Sequence, residues 1–290
     1  MATLASPHVV LPDGRRLAYR EFGPTSGRPL LYFHGTPASK HNWYLGHDAE
    51  ALERLGIRAF AIDRSGIGGS DPEPARTLLS WADDVAAFAD ALELPTFAVL
   101  GYSCGAPYAW ACAVRLPERV TDVAIVSGMV DLTHPDVAAL PPRPNLQVLR
   151  TGAERPRASR LVYRIMATTA KLLPGPMVRQ ASASMPEADR ATIRDPEVAR
   201  AFLAMLAETF AQGPAGAQVD SALVASAWGF DPADVRVPVH MWHGDTDENV
   251  PIEMARHLAE RVPGAELTVV AGEGHLSLVH RRLGDVLGTR

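Results

Sequence analysis

Val99–Leu100–Gly101–Tyr102–Ser103–Cys104–Gly105 is a short apolar run that turns abruptly into a helical pattern, with a serine at the apex and a glycine two residues to either side. A serine in so tight a turn sits in a strained backbone region with its hydroxyl held above a sheet edge. Side chains at 101 and 105 would collide with each other or with neighbouring strands, so glycine is the residue that fits at both. The next amide, at Cys104, opens a helix expected over about Ala106–Leu116 and points its N–H toward where negative charge would form on a substrate. The rest of the chain must then supply a base, an acid and a second N–H donor in compatible places.

At 290 residues the chain can bury a large core. Its 28 basic and 33 acidic residues, net −5, give no global reason to expect nucleic acid or an anionic membrane as partner. Met1–Leu11 has neither a basic n-region nor an apolar h-region, so no signal peptide is readable. No run approaches the ~18 apolar residues of a spanning helix. The only cysteines, Cys104 and Cys112, would be separated by roughly 12 Å of rise on one helix, too far for a mutual disulfide. A soluble, cytoplasmic protein is expected, without membrane insertion, metal or cofactor, as a monomer or a homodimer.

Working outward, Val9–Leu11 and Arg15–Phe22 flank Pro12–Asp13–Gly14, a hairpin signal. Pro29–Phe33 reads as a strand buried on both faces and ends in His34–Gly35–Thr36–Pro37. A helix over about Lys40–Leu55 stops at Gly56, and the strand Ile57–Ile62 runs into Asp63–Asp71. Ser80 with Asp83 suggests a capping box for a helix burying Trp81, Val85, Phe88 and Leu92. After the strands Thr96–Leu100 and Val120–Val126 the rhythm breaks. Met129–Pro144 reads as loop, with prolines at 135, 141, 142 and 144. Helical patterns follow over about Ala158–Leu173 (Leu161, Val162, Ile165, Met166 and Leu172 on one face), from Asp195 (burying Val198, Phe202, Met205, Leu206 and Phe210), and over Ala217–Ala227. Alternation resumes with the strand Val237–Trp242, the helix Ile252–Arg261, the strand Glu266–Val270 and a helix after Gly274. The expected fold is α/β: a mostly parallel eight-stranded sheet with helices on both faces, with a helical lid inserted after strand six. The expected division is core 1–128, lid 129–230 and core 231–290. Ligands in such sheets bind at the carboxyl ends of the strands, where every candidate motif falls.

The Thr36 amide, just past the third strand, is the candidate second donor beside Cys104. His275, in Gly272–Glu273–Gly274–His275, is the candidate base, since flanking glycines would let it reach across the rim to Ser103. His34 more plausibly holds its own turn together. His240 and His243 lie three apart on one strand, face opposite sides and make a poor metal pair. Asp247 is preferred as the acid orienting the imidazole, because Pro251 fixes its loop; Asp245 and Asp131 are the alternatives. Trp43 and Tyr102 near the rim, and Met166, Phe202 and Trp228 in the lid, are candidates for substrate contact. Gly66–Ile67–Gly68–Gly69 lacks the third glycine of a dinucleotide loop, and Pro72 and Pro74 block the helix such a loop needs. Arg143, Arg150, Arg155, Arg157, Arg160 and Arg164, opposed locally only by Glu154, read as a solvated outer lid face, with recruitment of an acidic substrate or carrier as the sharper alternative.

The order Ser103…Asp247…His275, with HGTP at 34–37, DRSGIGGSD at 63–71, GYSCG at 101–105, GDTDENVP at 244–251 and GEGH at 272–275, resembles the α/β-hydrolase-fold serine hydrolases over essentially the whole chain. The resemblance implies a lid over the nucleophile, a cis proline at Pro37, and hydrolysis of a small or medium carboxylic ester through an acyl-enzyme. Amides, N-terminal peptides, lactones, thioesters or C–C bonds beside a ketone could serve the same triad, and a ligand-binding or signalling protein on this scaffold is the reading from another class. A serine nucleophile makes the members that work through an aspartyl ester poor guides. Cys104 stands where Met, Gln or Ala is more usual, and its side chain is expected to point into the core.

Overall fold

The computed structural model describes residues 7–46, 48–141, 143–183 and 185–289; Met1–Ser6 of the N-terminal reading and Pro142 lie outside the described residues. The strands are β1 (His8–Val10), β2 (Arg16–Phe22), β3 (Arg28–Phe33), β4 (Ile57–Ile62), β5 (Phe97–Tyr102), β6 (Val120–Val126), β7 (Val239–Gly244) and β8 (Ala265–Val270). They form one sheet in the order β1-β2-β4-β3-β5-β6-β7-β8. β1–β2 and β2–β4 pair antiparallel, and every other neighbour is parallel. The hairpin at Pro12–Gly14 is present, with Gly14 at φ +89°. β5 is buried at all six positions, as a central parallel strand covered on both faces must be.

The helices flanking the sheet are α1 (Ala49–Leu55), α2 (Leu78–Ala91) and α3 (Ala106–Arg115). Between β6 and β7 every helix belongs to an insertion: α4 (Pro135–Ala138), α5 (Pro144–Glu154), α6 (Pro156–Leu172), α7 (Pro174–Ala183), α8 (Glu187–Ile193), α9 (Pro196–Thr209) and α10 (Ala215–Ala225). α11 (Ile252–Arg261) and α12 (His275–Gly288) complete the second part of the core. Two apolar layers form, one on each sheet face, around Trp81, Phe88 and Trp110 on one side and Tyr32, Trp43 and Leu278 on the other.

Four expectations change. The single helix over Lys40–Leu55 is a 3₁₀ turn (Lys40–Leu45) followed by α1, because Asp48 caps a fresh start by accepting from the Ala51 amide; Gly56 ends it at φ +61° as expected. α2 is capped by Thr77 and Ser80, which exchange side-chain and backbone bonds, not by Ser80 and Asp83. The stretch 129–144 is not all loop, since Pro135 and Pro144 are the first residues of α4 and α5. On α6 the apolar face is turned outward: Leu161, Ile165 and Leu172 are 59%, 58% and 66% exposed, whereas Ser159 and Tyr163 are buried.

Candidate active site

Ser103 closes β5 at φ +54°, a conformation costing on the order of 1 kcal/mol for a side chain other than glycine. A Cβ at Gly105 would stand 2.0 Å from the Phe33 carbonyl oxygen, and one at Gly101 would stand 2.7 Å from the Ala106 Cα. Both glycines are therefore steric necessities of the turn. The Met129 amide donates to the Ser103 carbonyl at 3.1 Å and ties the turn to the chain leaving β6.

His275 is the first residue of α12, and its Nδ1 lies 2.8 Å from Asp247 Oδ2. The other carboxylate oxygen accepts the Asn249 and Val250 amides at 2.8 and 2.9 Å, so the loop after β7 holds the acid rigidly. A carboxylate can only accept, which places the proton on Nδ1 and the free lone pair on Nε2. Burial pulls the imidazole downward, but the charge and hydrogen bond of Asp247, with Asp189 adding, raise it above the ordinary histidine value. Burial pushes Asp247 upward, and the reciprocal pull of His275, with His243 and the Val250 amide, brings it below the ordinary carboxylate value. His243 donates from Nε2 to the Val250 carbonyl at 2.8 Å; burial holds it below the usual imidazole range. Ser103 and His275 line one cavity, and among the described residues no hydrogen bond joins Ser103 Oγ to the ring. Such bonds commonly tighten only when substrate is bound.

The turn after β3 approaches Ser103 closely: a Cβ on Gly35 would lie 3.6 Å from Ser103 Oγ. Thr36–Pro37 is cis. Arg64, fully buried, donates to the His34 carbonyl at 2.5 Å, the Gly35 carbonyl at 2.8 Å and Thr36 Oγ1 at 2.9 Å. Both carbonyls are thus turned toward the guanidinium. His34 pins the turn by donating from Nδ1 to the Gly35 carbonyl and accepting the Arg64 amide on Nε2. Asp220 of α10 accepts from Arg64 (2.6 Å) and Thr36 Oγ1 (3.1 Å) on one oxygen, and from Arg76 (2.6 Å) and Tyr108 (2.9 Å) on the other. Burial opposes its charge, but the two arginines hold it well below the carboxylate range. Cys104 packs in the core yet also borders the cavity. Burial pushes its thiol up to about 12, so it carries no thiolate at neutral pH.

Sequence reasoning overlooked Asp189. This residue of α8 is buried and its carboxylate accepts the amides of His275 (2.9 Å), Leu276 (2.9 Å) and Ser277 (2.8 Å), the first three of α12. A negative group there satisfies otherwise unpaired N–H groups and opposes the helix dipole. Gly274 leaves it room, for a Cβ there would lie 2.5 Å from Asp189 Oδ1. No local motif flags an aspartate 86 residues before the histidine it supports. Arg64 was in view within DRSGIGGSD, but its partner Asp220 was not.

The cavity, about 330 Å³, lies between the rim and the insertion and is mainly apolar. Tyr102, Met166 and Phe202 line it, and Tyr102 also donates from its hydroxyl to the His275 carbonyl at 3.1 Å. Trp43 does not line it: its ring is buried beneath the rim, stacked on Phe22 and edge-on to Tyr32. Trp228 is also elsewhere, its indole N–H donating to the Val224 carbonyl inside the opposite apolar layer. Among the described residues one group brings three ligating side chains together, His134, Asp136 and His257. Arg261 lies 2.6 Å from His134 Nε2, and since a guanidinium only donates, the proton of that ring sits on Nδ1, the nitrogen nearer Asp136. That tautomer and the adjacent positive charge do not suit a cation.

A sharp serine turn, a buried histidine–aspartate pair and an N–H-bearing loop around one cavity, all at the carboxyl rim of this sheet, define an architecture of the hydrolase type. The chain belongs to the alpha/beta hydrolase fold family, whose profile matches residues 28–281. The non-heme chloroperoxidase of Streptomyces lividans is 34% identical over 137 residues, 44% of this chain and 48% of that protein. The bifunctional epoxide hydrolase 2 of Mus musculus is 32% identical over 138 residues, 46% of this chain and 24% of that protein. The chain thus spans about half the length of the first relative and about a quarter of the second. The esterase RhEst1 from Rhodococcus sp. ECU1013 superposes with a TM-score of 0.69 over 99% of this chain and 98% of that one, at 23% identity, a likeness of fold.

Proposed function

We propose that this protein is a serine hydrolase that cleaves a small or medium carboxylic ester through an acyl-enzyme on Ser103. The observation carrying the reading is the 2.8 Å His275 Nδ1–Asp247 Oδ2 bond, which leaves Nε2 basic on the wall it shares with Ser103. Ser103 Oγ attacks the ester carbonyl while His275 Nε2 takes its proton, and Asp247 steadies the resulting imidazolium. The Thr36 and Cys104 amides receive the oxyanion, each contributing on the order of 3 kcal/mol. His275 protonates the departing alkoxide, then deprotonates the water that clears the acyl group. The helical insertion serves as a lid, and the apolar wall of Met166, Phe202, Met205 and Leu206 favours an aliphatic acyl chain. Free, buried Cys104 and Cys112 support a reducing, cytoplasmic setting.

A fluorophosphonate probe with a panel of p-nitrophenyl esters tests the proposal. Labelling and turnover are expected in the native protein and neither in Ser103→Ala. A native protein that neither labels nor turns over any ester would instead be a binding module on this scaffold.

A further inference from the structure

We infer that the outer face of α6 docks the protein on an anionic lipid surface, from which an amphiphilic ester reaches the cavity. The substrate half of this inference rests on the hydrolase reading; the docking half does not.

At about 100° per residue, Leu161, Ile165 and Leu172 fall within about 40° of one another on α6. They are more than half exposed, and Leu173, just past the end of the helix, is 55% exposed beside them. Buried Ser159 and Tyr163 lie on the opposite side, so the helix is anchored by one face and presents another. Arg160, Arg164 and Lys171 run along one flank of the apolar strip. Between residues 143 and 183 eight lysines and arginines stand against one carboxylate, a net +7 on a chain of net −5. Arg155, Arg157, Arg160, Arg164, Lys171 and Arg179 are all exposed, and among the described residues none is ion-paired.

An apolar ridge bordered by unpaired cations matches an interfacial helix, whose hydrocarbon enters the headgroup region while its cations meet anionic lipid. Leu161, Ile165 and Leu172 line none of the cavities found among the described residues, so they offer an exposed strip to a lipid surface rather than a groove to a peptide. A symmetric contact with a second copy would bring two such positive faces together. Tyr163 and Met166 of the same helix line the cavity, so α6 stands between the docking face and the candidate nucleophile.

Co-sedimentation with vesicles of equimolar phosphatidylglycerol and phosphatidylcholine, against pure phosphatidylcholine vesicles, tests the docking. Binding to the anionic vesicles alone, weakening with salt, is expected. Leu161→Glu/Ile165→Glu and Arg160→Glu/Arg164→Glu should each reduce it at least about tenfold. Both variants should keep the native circular-dichroism spectrum and urea midpoint, which shows that they fold, and should hydrolyse a short water-soluble ester as the native protein does. Ser103→Ala should bind the vesicles normally, so failure of the hydrolase reading and failure of docking give different results. Failure of the native protein to sediment with anionic vesicles overturns the inference. So does a concentration-dependent dimer in light scattering that Ile165→Glu abolishes, because a second copy would then cover the face.

Discussion

At the scale of single residues, the proposed reaction comes down to who holds the proton at His275. Because Asp247 and Asp189 raise the imidazole above its ordinary value, and a base must be neutral to act, kcat/KM should fall with decreasing pH through a midpoint above about 6.5. A pH–rate profile with its acidic limb below that value would contradict the assignment. Asp247→Asn should lower kcat by roughly 10⁴-fold, since an amide at that position permits the wrong tautomer. Ser103→Ala should lower it by roughly 10⁵-fold or more, read by burst-phase ester hydrolysis. The strain at Ser103 and the missing side chains at 101 and 105 were legible because a tight turn dictates them locally. The position of His275 against Asp247 was legible from two loops that each follow a strand. Trp43 misled because proximity in sequence to the rim does not say which way a ring points: it turns into its apolar layer against Phe22 and Tyr32, while Asn42 and Leu45 beside it reach the cavity.

At the scale of elements, α8 and α12 are joined by one carboxylate. Removing it with Asp189→Ala should cost on the order of 1 kcal/mol or more of stability and lower kcat more than it raises KM. It should also move the acidic limb of the profile to lower pH, because a negative charge that favours the imidazolium is gone. Asp189→Asn, which keeps an acceptor for the helix amides but no charge, should recover most of the stability and none of the shift. Urea denaturation read beside the pH profile separates the two effects. Elements of the sheet could be read closely from the sequence, because buried parallel strands are continuous apolar runs. In the insertion α6, α9 and α10 could be read as well, but α4, α5, α7 and α8 could not. Pro135 and Pro144 each stand as the first residue of a helix, where a missing N–H costs nothing, yet their proline cluster looks like loop. The outward apolar strip of α6 was equally hidden, since a helical period reveals a face but not whether protein lies against it.

At the scale of the whole molecule, the core and the insertion share the charge cluster of Arg64, Arg76 and Asp220. Asp220→Ala would leave two arginines buried without their counter-ion, and a loss of about 3–5 kcal/mol is expected in urea unfolding. The turn after β3 should loosen with it, so on the proposed mechanism ester turnover should fall even at temperatures where the variant is folded. The cavity between the two parts is built to a different logic. Met129, Met166, Met177, Met185 and Met205 all border it, five of the eight methionines in the chain. Thioethers reshape around guests of unlike contour, which argues for breadth of acyl group over strict fit. They are also the side chains that peroxide converts to polar sulfoxides. An oxidised protein would keep its His275–Asp247 pair and its architecture, and on the proposed reading would reject greasy acyl chains, so its taste in substrates, before its chemistry, should register oxidative stress.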